Sequence, residues 1–185
     1  FLRGSSDYII DKMPENFLYL GIILKLLAKS KVIRIFRDPW DTAISLYKQR
    51  YVLNIPYSVS FFNIGVFMSN FEAINIFWNE NIDDKSNILD IKYEDLVSDK
   101  NKNQEKIYKF LKISSKYDEE KRGQFFSPTA SIRQIRQGIH KKSIDKKEFL
   151  HQKSEFLDAL LMQRQYWASK DIMPENDNFF GYKLK

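Results

Sequence analysis

The 185-residue sequence contains no cysteine, which excludes a disulfide framework, thiolate zinc sites, iron–sulfur clusters and cysteine nucleophiles. Histidine is almost as scarce. His140 and His151 are the two present, 11 residues apart and without acidic partners at ligand spacing, so two surface histidines are expected and no metal site. General-base chemistry would then fall to carboxylates. Glycine (6) and proline (5) are too few for a collagen-like or low-complexity chain. No apolar run reaches the ~20 residues of a transmembrane helix. The longest, 17–28 (FLYLGIILKLLA), is interrupted by Lys25, and a buried helix is expected there. No basic stretch, apolar stretch and cleavage site are visible at the start, so no secretory signal is read and a bacterial cytoplasmic setting is expected.

What is present is ordinary globular composition, 43% hydrophobic and 15% aromatic, enough for one sizeable core and a single domain over 1–185. The net charge of +6 is unevenly spread. Between 132 and 153 stand seven basic residues (Arg133, Arg136, Lys141, Lys142, Lys146, Lys147, Lys153) against two acidic ones (Asp145, Glu148), an excess of five. Such a cluster suits an anionic ligand, although a solvated lysine-rich face is an equally simple explanation.

Residues 31–36 (KVIRIF) form a short β-branched run entering Arg37-Asp38-Pro39, the signature of a strand that feeds a helix. Pro39 fits the first helical turn and Asp38 can accept from the free amides just inside it. At 100° per residue Trp40, Ala43, Ile44 and Tyr47 share the core face of this helix, while Asp38, Asp41 and Ser45 look away from it. Apolar residues at 64, 67, 71, 74 and 78 predict a long core helix, 87–93 a second strand, and 101–111 and about 155–170 further helices. Strands alternating with helices indicate an α/β fold with a parallel sheet. Sheets of this kind bind ligands at the carboxyl ends of their strands, where Arg37-Asp38-Pro39 and Tyr93-Glu94-Asp95 lie.

Four clusters follow one another: Asp11-Lys12-Met13-Pro14-Glu15-Asn16-Phe17; Arg37-Asp38-Pro39 with Ser45; Lys92-Tyr93-Glu94-Asp95-Leu96; and Thr129-Ala130-Ser131 with Gln134, Arg136 and the lysines beyond. In this order and spacing, over roughly 9–149, the chain resembles the sulfotransferases that use 3′-phosphoadenylyl sulfate. Among them it is most similar to bacterial enzymes related to tyrosylprotein sulfotransferases and often linked to tetratricopeptide repeats. The resemblance implies a P-loop-NTPase-like parallel sheet flanked by helices, a nucleotide donor and a hydroxyl-bearing acceptor, with protein tyrosine among the candidates. It requires no metal and no nucleic acid.

The resemblance also assigns roles. Arg37 and Ser45 fall on the positions that hold the donor's 3′-phosphate; a planar guanidinium fork and a hydroxyl are suited to phosphate oxygens. Tyr93 falls on an adenine or ribose contact. Lys12 matches the lysine beside the bridging oxygen between phosphate and sulfur, where charge grows on the departing phosphate during transfer. Ser131 matches the hydroxyl at the sulfuryl centre and also contacts the donor. Gln134, Arg136 and Lys146 lie in the segment that closes over the nucleotide. From the residues alone, each has a plainer alternative: Arg37 beside Asp38 as a local pair, Ser45 solvated, Tyr93 packed on the core, and Lys12 in a surface ion pair with Asp11 or Glu15.

Departures from the pattern matter. The family's further arginine one turn after the serine is Gln49 here; Arg50 could substitute only with a shifted geometry, so either phosphate affinity is weaker than in those relatives or Arg34 or the basic segment compensates. The Gly-rich loop that holds the 5′-phosphosulfate is not found; Arg3-Gly4-Ser5-Ser6 lacks a preceding strand, and Asp7 is a poor stand-in for the catalytic carboxylate. The chain begins at Phe1, and the expectation is a fold incomplete at its N-terminus, part of a longer sulfotransferase and inactive by itself, with a degenerate domain as the alternative. The competing function is a noncatalytic nucleotide- or nucleic-acid-binding module built on 132–153, but 132–147 has no aromatics to stack bases. A P-loop kinase is disfavoured by the absence of Gly-Lys-Ser/Thr.

Overall fold

The computed structural model describes residues 9–53, 55–113 and 147–184, with backbone alone at 50–53. A 3-10 turn, Pro14–Tyr19, runs into helix α1, Leu20–Leu26. Strand β1, Val32–Phe36, enters α2, Pro39–Leu53. A 3-10 turn at Pro56–Val59 precedes α3, Phe61–Asn81. Then come β2 (Ile88–Lys92), α4 (Tyr93–Ser98) and α5 (Lys100–Leu111). After a 3-10 turn at Leu150–Gln152, α6 (Lys153–Ala168) leads to a hairpin of β3 (Asn178–Phe179) and β4 (Tyr182–Lys183).

The two expected strands pair in parallel, Val32 opposite Ile88 and Phe36 opposite Lys92, so their carboxyl ends are level. The expected turn between β1 and α2 is also present. Pro39 opens the helix and Asp38 Oδ1 accepts the Asp41 amide at 2.9 Å, satisfying one of the donors that a helix N-terminus leaves unpaired.

The core is helical. Trp40, Ala43 and Ile44 from α2 meet Phe61, Ile64 and Met68 from α3 and Phe156 and Leu160 from α6, with Phe179 and Leu184 of the C-terminal segment closing it. Trp40 lies 5.0 Å from Phe61 and 5.6 Å from Phe156, ring centre to ring centre. Burial of each such side chain contributes about 1.5–3 kcal/mol.

One expectation about packing is overturned and another is refined. The run 17–28 is not a buried helix: Leu20 is buried, but Ile22, Leu26 and Leu27 are 49%, 75% and 61% exposed. Apolar side chains point all round the seven-residue α1, and a helix that packs along one stripe can bury only that stripe. The stripe at 64, 67, 71, 74 and 78 does mark α3, and Phe67 and Phe71 pack against the core as expected, but of these five only Ile64 is fully buried. Gly65, Met68, Ser69, Glu72 and Asn75 are also deeply buried, and α6 meets Gly65 and Glu72. A Cβ on Gly65 would stand 2.6 Å from the Phe156 carbonyl oxygen.

Candidate functional site

At the carboxyl end of β1 the Arg37 guanidinium turns back over α2. Its Nη1 donates to Ser45 Oγ at 3.1 Å, its Nη2 lies 3.6 Å from Asp41 Oδ2, and its plane sits over the Tyr93 ring at 5.1 Å. Ser45 is held in turn: its hydroxyl donates to the Asp41 carbonyl at 2.9 Å. Three of the sequence-selected residues, Arg37, Ser45 and Tyr93, are therefore one constellation, assembled from the ends of two parallel strands and the second turn of α2.

Acidic residues surround it. Asp41 was expected on the outward face and is instead 2% exposed, with the Arg37 guanidinium lying against it. Glu94 Oε1 accepts the Asp38 amide at 3.0 Å. Burial pushes the Asp38 carboxyl above its ordinary range, and the charges of Asp41 and Glu94 push it further against the pull of backbone amides. The free amides of the α2 N-terminus are partly spent on Asp38 itself, so an anion here would be met by Arg37 and Ser45 rather than by the helix end.

The suggestion that Arg34 replaces the missing arginine fails. Its Nε and Nη2 grip Asp90 at 2.7 Å each across the strand pair, and Nη1 donates to Asn75 at 3.2 Å, which commits the guanidinium to the sheet. Gln49 lies one turn after Ser45 in α2, and the Arg50 side chain is outside the described residues.

Lys12 is exposed, in the irregular segment before the 3-10 turn Pro14–Tyr19. Its neighbour Asp11 accepts from the Asn16 side chain at 3.0 Å. Two residues beyond Lys12 an apolar cavity of about 220 Å³ begins at Pro14, walled by Phe17, Tyr57, Phe67, Phe71 and Ile74. Tyr57 stacks on Phe67 at 3.7 Å, and burial, with Glu15 nearby, pushes its phenol upward.

Ser131, Gln134, Arg136 and Lys146 lie outside the described residues, as do Arg3–Ser6 and Asp7. Of the basic segment, 147–153 is described, and it ends against α2. Lys48 pairs with Glu148 at 2.8 Å, and Phe149 meets Tyr47 edge-on at 5.3 Å.

Sequence reading did not select Asp41 or Glu94 as site residues, nor Tyr182, whose hydroxyl donates to Glu94. Asp41 had a local signal, an acid four residues after Arg37, and Glu94 stood in a strand-end cluster. Tyr182, 88 residues further on, had none. Among the described residues no group of three or more His, Asp or Glu could hold a metal ion, and no helix is long and apolar enough to cross a membrane.

A family model described as "Sulfotransferase family" matches residues 2–119. A protein of Aquifex aeolicus (strain VF5), described as uncharacterized, is 28% identical over 153 residues, which is 78% of this chain and 19% of that protein. The chain thus spans about a fifth of the length of that relative. No solved structure matches.

Proposed function

The chain belongs to the sulfotransferase family, and we propose that Arg37, Ser45 and Tyr93 are the 3′-phosphate side of a donor site for 3′-phosphoadenylyl sulfate. One observation carries this reading: the convergence of guanidinium, hydroxyl and aromatic ring where β1 and β2 end together. A phosphate monoester would be met by the Arg37 guanidinium in charge-assisted hydrogen bonds, and Ser45 would swing its proton from the Asp41 carbonyl to a phosphate oxygen. Tyr93 offers a flat face to the ribose or base.

Charge balance supports a contribution from the basic segment. Near Arg37 stand Asp38, Asp41 and Glu94, so an anion with about four charges needs more cations than this corner holds. The segment 132–153 ends against α2 through Glu148 and Phe149, which puts its end beside the helix that bears Ser45. In this reading Gln134 and Lys146 bind the donor, and Ser131 acts at the sulfuryl group.

In the transfer the acceptor oxygen forms a bond to sulfur as the bond between sulfur and the bridging phosphate oxygen breaks. The acceptor proton passes to a base, and adenosine 3′,5′-bisphosphate departs. Lys12 would neutralise the charge growing on the departing phosphate. The apolar cavity that begins two residues beyond Lys12 favours an aromatic hydroxyl such as tyrosine: cavities of about 150 Å³ already hold benzene.

Calorimetric titration with adenosine 3′,5′-bisphosphate tests the donor site. Arg37→Ala is expected to weaken binding about tenfold or more, as for a lost hydrogen bond to a charged group, and Arg37→Lys to recover part of the loss by charge alone. Equal heats from wild type and Arg37→Ala would sink the assignment.

A further inference from the structure

The C-terminal hairpin reaches the same corner from the opposite end of the chain. Its turn, Phe180-Gly181, has φ of 48° and 85°, the left-handed pair that a tight two-residue hairpin requires. Phe180 stacks on Phe36, the last residue of β1, at 4.3 Å. Lys92, the last residue of β2, donates to the Gly181 carbonyl at 3.3 Å and lies 4.8 Å over the Tyr182 ring. The hairpin therefore grips both strand ends. Tyr182 then reaches between them: its hydroxyl donates to Glu94 Oε2 and lies 3.4 Å from the Phe36 carbonyl oxygen. The other oxygen of Glu94 accepts the Asp38 amide at 3.0 Å, the peptide nitrogen directly after Arg37.

We propose that Tyr182 is a positioning residue of the anion site, holding Glu94 against the Asp38 amide and thereby fixing the direction in which Arg37 leaves the strand. This rests on the reading of Arg37 as a phosphate ligand. The physical need is specific. Glu94 lies near the Asp38 carboxylate, and repulsion between the two favours its swinging away. A donor on its far oxygen opposes that motion, and the Tyr182 hydroxyl is such a donor. With Glu94 displaced, the Asp38 amide loses its acceptor, and the turn between β1 and α2 gains freedom at the residue that must present a rigid fork.

Tyr182→Phe removes the donor while keeping the ring that packs under Lys92. Glu94→Gln changes the acceptor side independently and serves if the first variant folds poorly. Both, with the double variant, are titrated with adenosine 3′,5′-bisphosphate. The Arg37 Nε–H signal is also followed by nuclear magnetic resonance without ligand. The expected results are about fivefold weaker binding or more for Tyr182→Phe, a shifted or broadened Arg37 signal, and a double variant no weaker than Glu94→Gln alone. Phe179→Leu, a core substitution in the same hairpin, should lower the melting temperature without changing the affinity of the folded protein. An unmoved Arg37 signal overturns the proposal, as does unchanged affinity in a wild type that binds, or additive losses in the double variant. A wild type that gives no heat rejects the donor-site reading instead, and the Arg37 signal then still decides whether Tyr182 positions it.

Discussion

Asp38 illustrates how one residue of this site is pulled two ways. It caps α2, a favourable role for a carboxylate, yet burial and two acidic neighbours raise its pKa. The folded chain holds this proton more tightly than the unfolded chain. The stability linked to Asp38 is therefore present below the unfolded value of 3.8 and is lost as pH rises through the higher folded value. Asp38→Asn keeps a side-chain oxygen for the cap, and asparagine caps helices about as well as aspartate. The variant is expected to be at least as stable as wild type at pH 7, and its melting temperature should fall less as pH is raised above 3.8. Thermal melts across that range check this; slopes that superimpose would count against it. The cap itself was legible in the sequence, because Asp38-Pro39 is a local signal. The raised pKa was not, since it comes first from burial and then in part from Glu94 of α4, which is distant in the chain.

Helix α3 shows what periodicity can and cannot supply. Apolar residues at steps of three and four announced the helix, but Gly65 and Glu72, which meet α6, and the buried Ser69 and Asn75 are small or polar. Close helix approach favours small side chains, and a hydrophobic pattern does not register them. A Cβ at Gly65 would meet the Phe156 carbonyl oxygen at 2.6 Å and Ala159 Cβ and Leu160 N at 3.0 Å each. Two of these contacts are backbone, which cannot rotate away. Gly65→Val is expected to destabilise the protein by about 2 kcal/mol, as overpacking does. Urea unfolding should show a lower midpoint with an unchanged slope; a midpoint within error of wild type would mean that α3 and α6 can separate freely. Helix α1 marks the converse limit, since a continuous apolar run signals neither which side is covered nor whether any partner covers the rest.

Across the whole molecule, the buried Arg164 joins three parts of the fold. From α6 it pairs with Glu72 on α3 and donates to the carbonyls of Asn176 and Asn178 that lead into the hairpin. Glu72 is 2% and Arg164 4% exposed, so neither charge has water to fall back on. Arg164→Met would strand the Glu72 carboxylate and is expected to cost about 3–5 kcal/mol, whereas Glu72→Leu combined with Arg164→Met should recover much of that loss. Chemical denaturation of the single and double variants measures the difference. A double variant less stable than Arg164→Met would show that the hairpin contacts, not the ion pair, dominate.

Sequence alone determined the features that depend on neighbours in the chain: two strands, the capped start of α2, the long α3 and the order of motifs that points to the sulfotransferase family. These are short-range, because hydrophobic period, caps and turns act within a few residues. Only the tertiary structure decided that Asp41 is buried, that Arg34 is committed to Asp90, that α1 leaves much of its apolar surface exposed, and that Tyr182 meets Glu94 beside Arg37. Each of these depends on which distant segment packs against which face, and a contact spanning 88 residues leaves no local pattern in the sequence.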